Sequence, residues 1–261
     1  MKYNFNLTEE QEFIVDSVKQ FADNRLWSNR TRFEKKDYGL VPELLKEAAE
    51  YGFIGASVEE EFGGMGMNLT TELLITDNIS GASGSFSTAF SVATGIGLMP
   101  IALFGTDSQK SKYLPELISG EENSAYALTE PTAGSDANSG KTKATEVEGG
   151  YRINGQKAWI SNAGFADYFT VFAKIEDDKN LSTFIVHKDD EGFKLGEEEL
   201  KLGLNSSSTR QIFFEDVFVP SDRLLGERNG GFKIAMIVLN LGRLKLAAAT
   251  CLLYTSPSPR D

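Results

Sequence analysis

The sequence predicts an α+β multidomain chain: an all-α N-terminal domain over 1–123, a middle β-barrel domain over 124–228, and over 229–250 the first helix of a C-terminal helical bundle. Three observations carry this. Up to Asn123, apolar residues recur at helical spacing. From Ser124 the period shortens to alternation, in short runs separated by Gly-containing turns, the pattern of a barrel or sandwich. At Phe232 the helical period returns.

In the first domain, Thr8 with Gln11 three residues on fits a capping box, and Ile14, Val18, Phe21, Ala22 and Leu26 follow at helical spacing. Pro42 sits where a helix can start, with Leu44, Leu45, Ala48 and Ala49 as its apolar stripe and Gly52 as its end. Further helices are expected over Glu72–Ile79, over Phe86–Leu98 and, capped by Asp107, over Ser108–Leu114. The glycines of Phe62–Asn68 do not make G-x-G-x-x-G and have no strand–helix context, so this stretch reads as a tight connection between helices.

Candidate strands are Ser124–Thr129, Thr142–Val147, Tyr151–Ile153, Lys157–Ser161, Tyr168–Ile175, Ser182–His187 and Gln211–Val219, with hairpin turns at Gly149-Gly150 and Asn154-Gly155. The last helix is expected to bury Phe232, Ala235, Met236, Leu239, Leu244 and Ala247. The final string, Cys251–Asp261, breaks that pattern, and Pro257 and Pro259 forbid a regular helix there. It matches one reading frame of a sequencing-library transposon adapter, so these residues are expected to be an artefact rather than natural sequence.

The chain has 261 residues, 41% hydrophobic and 25% charged, an ordinary globular balance. Its net charge of −12 disfavours a nucleic-acid partner. The longest uncharged run, Gly81–Thr106, holds glycines, Pro100 and many hydroxyls, and reads as a buried helix and loop beside a pocket rather than an integral membrane segment. The start shows neither an apolar signal core nor an Arg-rich presequence, and the expected location is the cytoplasm of a bacterium. The single cysteine, Cys251, excludes an internal disulfide framework. No His/Cys cluster suggests a metal, and no G-x-S-x-G suggests a nucleophile. His187 reads as a solvated loop residue, and the runs Glu59–Glu61 and Glu197–Glu199 as solvated turns.

The chemistry gathers between Tyr126 and Asn162. A short strand breaks at Glu130-Pro131, and Gly134 and Ser135 then let backbone N–H groups approach something bulky or anionic. On the second strand, Trp159 and Ser161 share a face by the two-residue repeat, a ring beside a hydroxyl. These residues alone leave two readings open: a core tryptophan with an ordinary Gly-Ser turn, or a cradle for a flat heteroaromatic ligand.

The strings themselves go further. TEPTAGSD (Thr129–Asp136) and NGQKAWISNAG (Asn154–Gly164) resemble the flavin-binding signature of the acyl-CoA dehydrogenases. The flanks Leu103–Glu121 and Phe214–Met236 resemble the same family, closest to its very-long-chain branch, and the resemblance covers nearly all of 1–250. It implies bound FAD, with Thr129 and the Leu128 backbone at the pyrimidine side of the flavin, Tyr126 at the first position of the same flavin-binding motif, and Gly134 and Ser135 at the pyrophosphate. Trp159 would cover one flavin face beside Ile160, and the Ser161 hydroxyl would point at the nitrogen that receives hydride. Ser135, Asn240 and Arg243 would meet the CoA part of the substrate. The implied reaction is α,β-dehydrogenation of a fatty acyl-CoA thioester to the trans-2-enoyl-CoA, as in fatty acid β-oxidation, with electrons passed to an electron-transfer flavoprotein.

The resemblance also implies a homodimer or homotetramer assembled largely through a third domain. The catalytic base is not expected in these residues. One branch of the family carries it immediately before the arginine matched by Arg243, where this sequence has Gly242; the other carries it late in the third domain. The short form is therefore expected to be inactive alone. An acyl-CoA oxidase or flavin-dependent hydroxylase on the same scaffold, or a non-catalytic flavin- or acyl-CoA-binding assembly protein, are the alternatives.

Overall fold

In a computed structural model, residues 6–255 are described, the last four as backbone only. The helices are α1 (Glu9–Phe21), α2 (Arg30–Glu34), α3 (Leu40–Glu50), α4 (Leu69–Ser80), α5 (Gly84–Ser91), α6 (Met99–Phe104), α7 (Asp107–Ser119) and, after the strands, α8 (Gly231–Thr255). The Thr8–Gln11 capping box forms as expected, Gln11 N–H donating to Thr8 Oγ1 at 3.2 Å and Thr8 N–H to Gln11 Oε1 at 3.2 Å. One core cluster joins α1, α3, α5 and α7, including Val18, Phe21, Leu44, Phe86, Phe90 and Tyr113. The glycine-rich stretch is a tight connection: Met65, Gly66 and Met67 N–H groups donate back to Gly55, Val58 and Ala56 carbonyls.

The expected single helix over Phe86–Leu98 is not one. After α5 the chain widens into a π-helical turn, Val92–Ile96, closed by Gly97 N–H on Val92 O at 2.8 Å. A Cβ at Gly97 would lie 2.4 Å from Ser124 Oγ, so only glycine lets this turn rest on the first strand. The helix expected to end at Leu114 runs on to Ser119 with Pro115 inside it, and its cap is Thr106, paired with Gln109, rather than Asp107.

The strands are β1 (Ser124–Ala127), β2 (Lys143–Val147), β3 (Gly150–Ser161), β4 (Tyr168–Ile175), β5 (Ser182–His187), β6 (Phe193–Glu198), β7 (Thr209–Pro220) and β8 (Leu224–Leu225). They form one sheet in the order β6-β7-β3-β2-β4-β5-β8, with β1 parallel to β4. The path does not return on itself, so the β domain is an open, curved sheet and not the closed barrel the strand spacing suggested. Its core includes Ala125, Ile153, Phe169, Val171, Phe184 and Val217.

The Gly149-Gly150 hairpin is present, joining β2 to β3. Asn154-Gly155 is not a turn: β3 continues through it against β7 with a register shift between Ile153 and Gly155. Gly155 has φ +149°, and a Cβ there would come within 2.9 Å of three Thr142 atoms, so the glycine marks a bulge and a close approach. β6 went unseen because FKLGEE is polar and half-exposed. Its Glu198 is no solvated turn residue: it accepts from Ser208 Oγ at 2.6 Å, Arg210 Nε at 2.7 Å and Thr209 N at 3.0 Å. His187 ends β5 and packs on Tyr168, ring centroids 4.8 Å apart.

Two helical stretches are long and apolar enough to cross a membrane by length and composition, Gly84–Phe104 and Gly231–Cys251; the first is 72% buried in this fold and the second 28%. α8 buries Ile234, Ala235, Val238, Lys245 and Ala249, a stripe rotated from the expected one; Leu244 and Leu246 stand 49% and 62% exposed. Helical backbone also continues through Thr255, past the break expected after Thr250, while 256–261 lie outside the described residues.

Candidate functional site

β1 leads into the rim of a cavity. Past Ala127 the backbone passes Leu128 and Thr129, then reverses at Pro131-Thr132, where Glu130 and Ala133 exchange backbone hydrogen bonds of 3.0 and 3.1 Å. This short reversal presents Gly134 and Ser135. A buried ion pair fixes it from behind. Glu130 and Lys157 side chains are only 4% and 1% exposed, and Lys157 Nζ donates to Glu130 Oε1 at 2.7 Å. The ammonium also donates to Phe172 O at 2.7 Å and Leu128 O at 3.3 Å. Glu130 accepts the Lys141 N–H at 2.6 Å and the Thr142 N–H at 3.1 Å. Burial pushes the lysine down to about 8, with Glu130 opposing. Burial alone would raise Glu130, but the ammonium and the backbone donors outweigh it and hold the carboxyl low.

The end of β3 forms the facing rim. Between Lys157 and Ile160 the strand gains one residue on its β7 partner, and Trp159 adopts φ +60°. Trp159 and Ser161 therefore meet the same cavity through a bulge, not through the uninterrupted two-residue repeat expected from sequence. Ala158 N–H donates to Thr129 O at 2.9 Å, joining the two rims. Just beyond, Asn162 Nδ2 donates to Ala89 O at 3.0 Å, fastening the strand exit to α5.

The resulting cavity, of about 380 Å³, is bordered by Tyr126, Leu128, Thr129, Gly134, Ser135, Trp159, Ile160, Ser161 and Arg243. Val92, Ile96, Ala137, Met236 and Leu239 complete it. A second compartment of about 340 Å³ shares Val92, Ile96, Ser161, Leu239 and Arg243, and extends past Gly242 to Lys245, Leu246 and Ala249. Of the residues singled out in the sequence, Asn240 alone borders neither; it lies on the exposed side of α8 and accepts from Arg243 Nη1. The sequence placed Gly81–Thr106 beside a pocket, as Val92 and Ile96 are, but missed the apolar wall from α8 and missed Glu130 and Lys157. A signal for the pair existed: a lysine and a glutamate inside two strand-like strings, next to residues that had to be buried.

Three features fit a large planar ligand with an anionic portion. The Tyr126 hydroxyl is buried with no hydrogen-bond partner among the described residues, and burial raises its pKa. A Cβ at Gly134 would meet nothing within 4 Å, so the loop backbone is open to an approaching group. Trp159 is 61% exposed, its indole uncovered by the fold. Arg243 is the charged residue shared by the two compartments, and among the described residues neither is bordered by a carboxylate.

Comparison with known proteins gives matches to the acyl-CoA dehydrogenase N-terminal domain over residues 8–121 and the acyl-CoA dehydrogenase middle domain over residues 125–217. A probable acyl-CoA dehydrogenase of Bacillus subtilis is 43% identical over 247 residues, covering 94% of this chain and 41% of the relative. The human very long-chain specific acyl-CoA dehydrogenase is 41% identical over 210 residues, 77% of this chain and 32% of its own. Among solved structures, an acyl-CoA dehydrogenase complexed with FAD from Bacillus anthracis superposes with a TM-score of 0.90 at 43% identity, covering 94% of this chain and 42% of that one. PigA with FAD and proline superposes with a TM-score of 0.89 at 31% identity, covering 94% and 65%. The chain thus spans about two fifths to two thirds of the length of the first relatives it matches.

Proposed function

The chain belongs to the acyl-CoA dehydrogenase family, and from that premise we propose that it forms the flavin- and thioester-binding half of an FAD-dependent acyl-CoA dehydrogenase. The observation that supports this most is the convergence on one cavity of Tyr126, Thr129 and Ser135, from β1 and the loop after it, with Trp159 and Ser161 from the end of β3, more than twenty residues on, and Arg243 from α8. Domain limits near 123 and 228 go with this reading.

FAD, when bound, supplies the acceptor for the hydride that leaves the β-carbon. The chain's own residues orient and enclose. Trp159 offers a stacking face, and the Leu128–Thr129 backbone and Ser161 offer hydrogen-bond groups at the rim. Gly134 and Ser135 leave room and donors for a pyrophosphate, and Arg243 offers a cation to the CoA portion. The compartment beside α5 and α8, walled by Val92, Leu239, Leu246 and Ala249, suits an alkyl tail kept from water. Abstraction of the α-proton needs a base, and none of the bordering side chains is a carboxylate. In this proposal the base lies outside the described residues, electrons pass on to an electron-transfer flavoprotein, and the whole protein works as a homo-oligomer in the bacterial cytoplasm.

The test is flavin retention after gel filtration of the chain mixed with FAD, followed by calorimetric titration with butyryl-, octanoyl- and palmitoyl-CoA. Retained flavin and a length-dependent affinity are expected. A chain that keeps no flavin and binds no thioester refutes the reading. The likeness to PigA with FAD and proline favours one second reading, a flavin enzyme whose substrate is not a CoA thioester. Flavin retention without thioester binding, and oxygen uptake by the whole protein, would select it.

A further inference from the structure

A cation lies directly behind the proposed flavin rim, and the reaction as derived above makes no use of it. Lys157 Nζ donates to the Leu128 carbonyl, to Glu130 and to the Phe172 carbonyl, and is buried. The Leu128–Thr129 peptide is trans, as are all the described peptides. In a trans peptide the carbonyl and the next N–H point in opposite directions. With Leu128 C=O turned onto the ammonium, Thr129 N–H is turned away from it. Among the described residues this N–H donates to no protein acceptor, and Thr129 borders the cavity.

Hydrogen bonds in series polarise one another, most strongly where water is excluded. An ammonium on the carbonyl end of a peptide therefore makes its N–H end a better donor. The effect on an oxidised ring is small. It is larger on a reduced ring, which carries extra negative charge, because a fixed dipole stabilises charge in proportion to how much develops.

We propose that Lys157 is a positioning residue for the redox reaction: acting through the Leu128–Thr129 peptide, it strengthens the Thr129 N–H donor and tilts the bound flavin toward its reduced form. This rests on the FAD reading given above. Glu130 has a complementary part. It holds the lysine in place and balances its charge, so that the influence reaches the cavity as an oriented dipole rather than as a bare cation that would also repel Arg243.

The experiment is an anaerobic spectroelectrochemical titration of FAD bound to the chain, with oxidised FAD affinity measured in parallel. The double variant Glu130→Gln/Lys157→Gln keeps a similar side-chain size at both positions while removing both charges; the amide at 157 offers two donors where the ammonium offers three. It is expected to lose about tenfold more affinity for reduced than for oxidised flavin, which lowers the midpoint potential by about 30 mV for a two-electron couple. Lys157→Arg keeps the charge and is expected to hold the ratio of affinities within about threefold of the unaltered chain. Equal losses for both flavin forms in the double variant, leaving the potential unmoved, would mean a purely structural pair and overturn the proposal. If near-UV circular dichroism shows the double variant unfolded, the arginine variant decides, because a tenfold fall in the ratio there overturns it equally. An unaltered chain that binds neither flavin form refutes the FAD reading itself, a different outcome from bound flavin whose potential ignores Lys157.

Discussion

Substitution of Lys245 by methionine tests how the second compartment is held. Lys245 comes off α8 with its side chain 2% exposed, donates to Thr94 O at 2.9 Å and Thr94 Oγ1 at 3.1 Å, and pairs with Glu72, itself 8% exposed on α4. Its stem passes beside Gly95, where a Cβ would stand 3.5 Å from the lysine Cδ. Burial pulls the lysine pKa down and Glu72 pulls it back up. Lys245→Met leaves the Glu72 carboxylate buried without its cation, a loss of about 3–5 kcal/mol by the usual cost of breaking such a pair. The Thr94 carbonyl also loses a donor, adding about 1 kcal/mol. Glu72→Leu/Lys245→Met removes both charges and fills the space with apolar groups. That exchange ranges from neutral to stabilising by about 1–4 kcal/mol, so the double variant should be at least as stable as the unaltered chain. Urea unfolding followed by tryptophan fluorescence measures all three proteins. A single variant within about 1 kcal/mol of the parent, or a double variant as damaged as the single, would refute the claim that the pair is a dry, mutually dependent unit.

Three further outcomes follow from the same geometry. Trp159→Ala should leave the unfolding free energy from urea titration within about 0.5 kcal/mol, because the indole is largely exposed, while flavin retention on gel filtration falls; loss of both together would make Trp159 a packing residue. Gly134→Val should likewise spare stability, since its Cβ position is open, yet weaken FAD binding by crowding the loop, and unchanged affinity in a fluorescence titration would remove Gly134 from the site. Burial, then the hydrogen bond and charge of Glu116, raise Glu122 to about 7. The folded chain thus binds more protons than the unfolded one between about 4.3 and 7, and stability falls as pH rises through that window. Glu122→Gln should therefore stabilise at pH 8 and not at pH 4.5; equal effects at both pH values would contradict the assigned cause.

Much of this was legible from the chain because local rules and tertiary structure agree. The Thr8–Gln11 box, the Gly149-Gly150 hairpin and the apolar runs Tyr168–Ile175 and Ser182–His187 fold as their periodicity requires. Several of the misreadings come from a long-range contact that overrides local pattern. Asn154-Gly155 has hairpin chemistry, but β7 pairs along the whole of β3 and turns it into a bulge. The helix over Phe86–Leu98 has no sequence breaker strong enough to announce a π turn; the turn is set by Gly97 lying against Ser124. On α8 the expected stripe is right in part: Ala235 is buried and Met236 and Leu239 pack against the core, but farther along Lys245 and Ala249 are buried where Leu244 and Ala247 were expected. Trp159 and Ser161 were assigned to one face by alternation, and they share the cavity through a bulge that alternation cannot foresee.

The two buried pairs clarify what the scaffold is built to do. Glu130–Lys157 stands behind the rim of one compartment, and Lys245, paired with Glu72, forms part of the wall of the other. Each lysine also reaches backbone carbonyls on another element, Phe172 on β4 in the first case and Thr94 in the π-helical turn in the second. Four charges taken out of water are a poor way to gain stability, since apolar replacements of the same size do as well or better. They are a good way to fix position, because an ammonium with two or three acceptors has one arrangement that satisfies it, whereas a methyl group tolerates many. The elements so fixed are those that border the cavities: Leu128–Thr129 in the first case, the π-helical turn and α8 in the second. A core made wholly of leucine and phenylalanine could close the same volume, but it would not hold a peptide N–H and an arginine at set places around a ligand. Loss of either pair should therefore show first in ligand geometry and only second in unfolding; the redox titration reads the first for Glu130–Lys157, and the urea series reads the second for Glu72–Lys245.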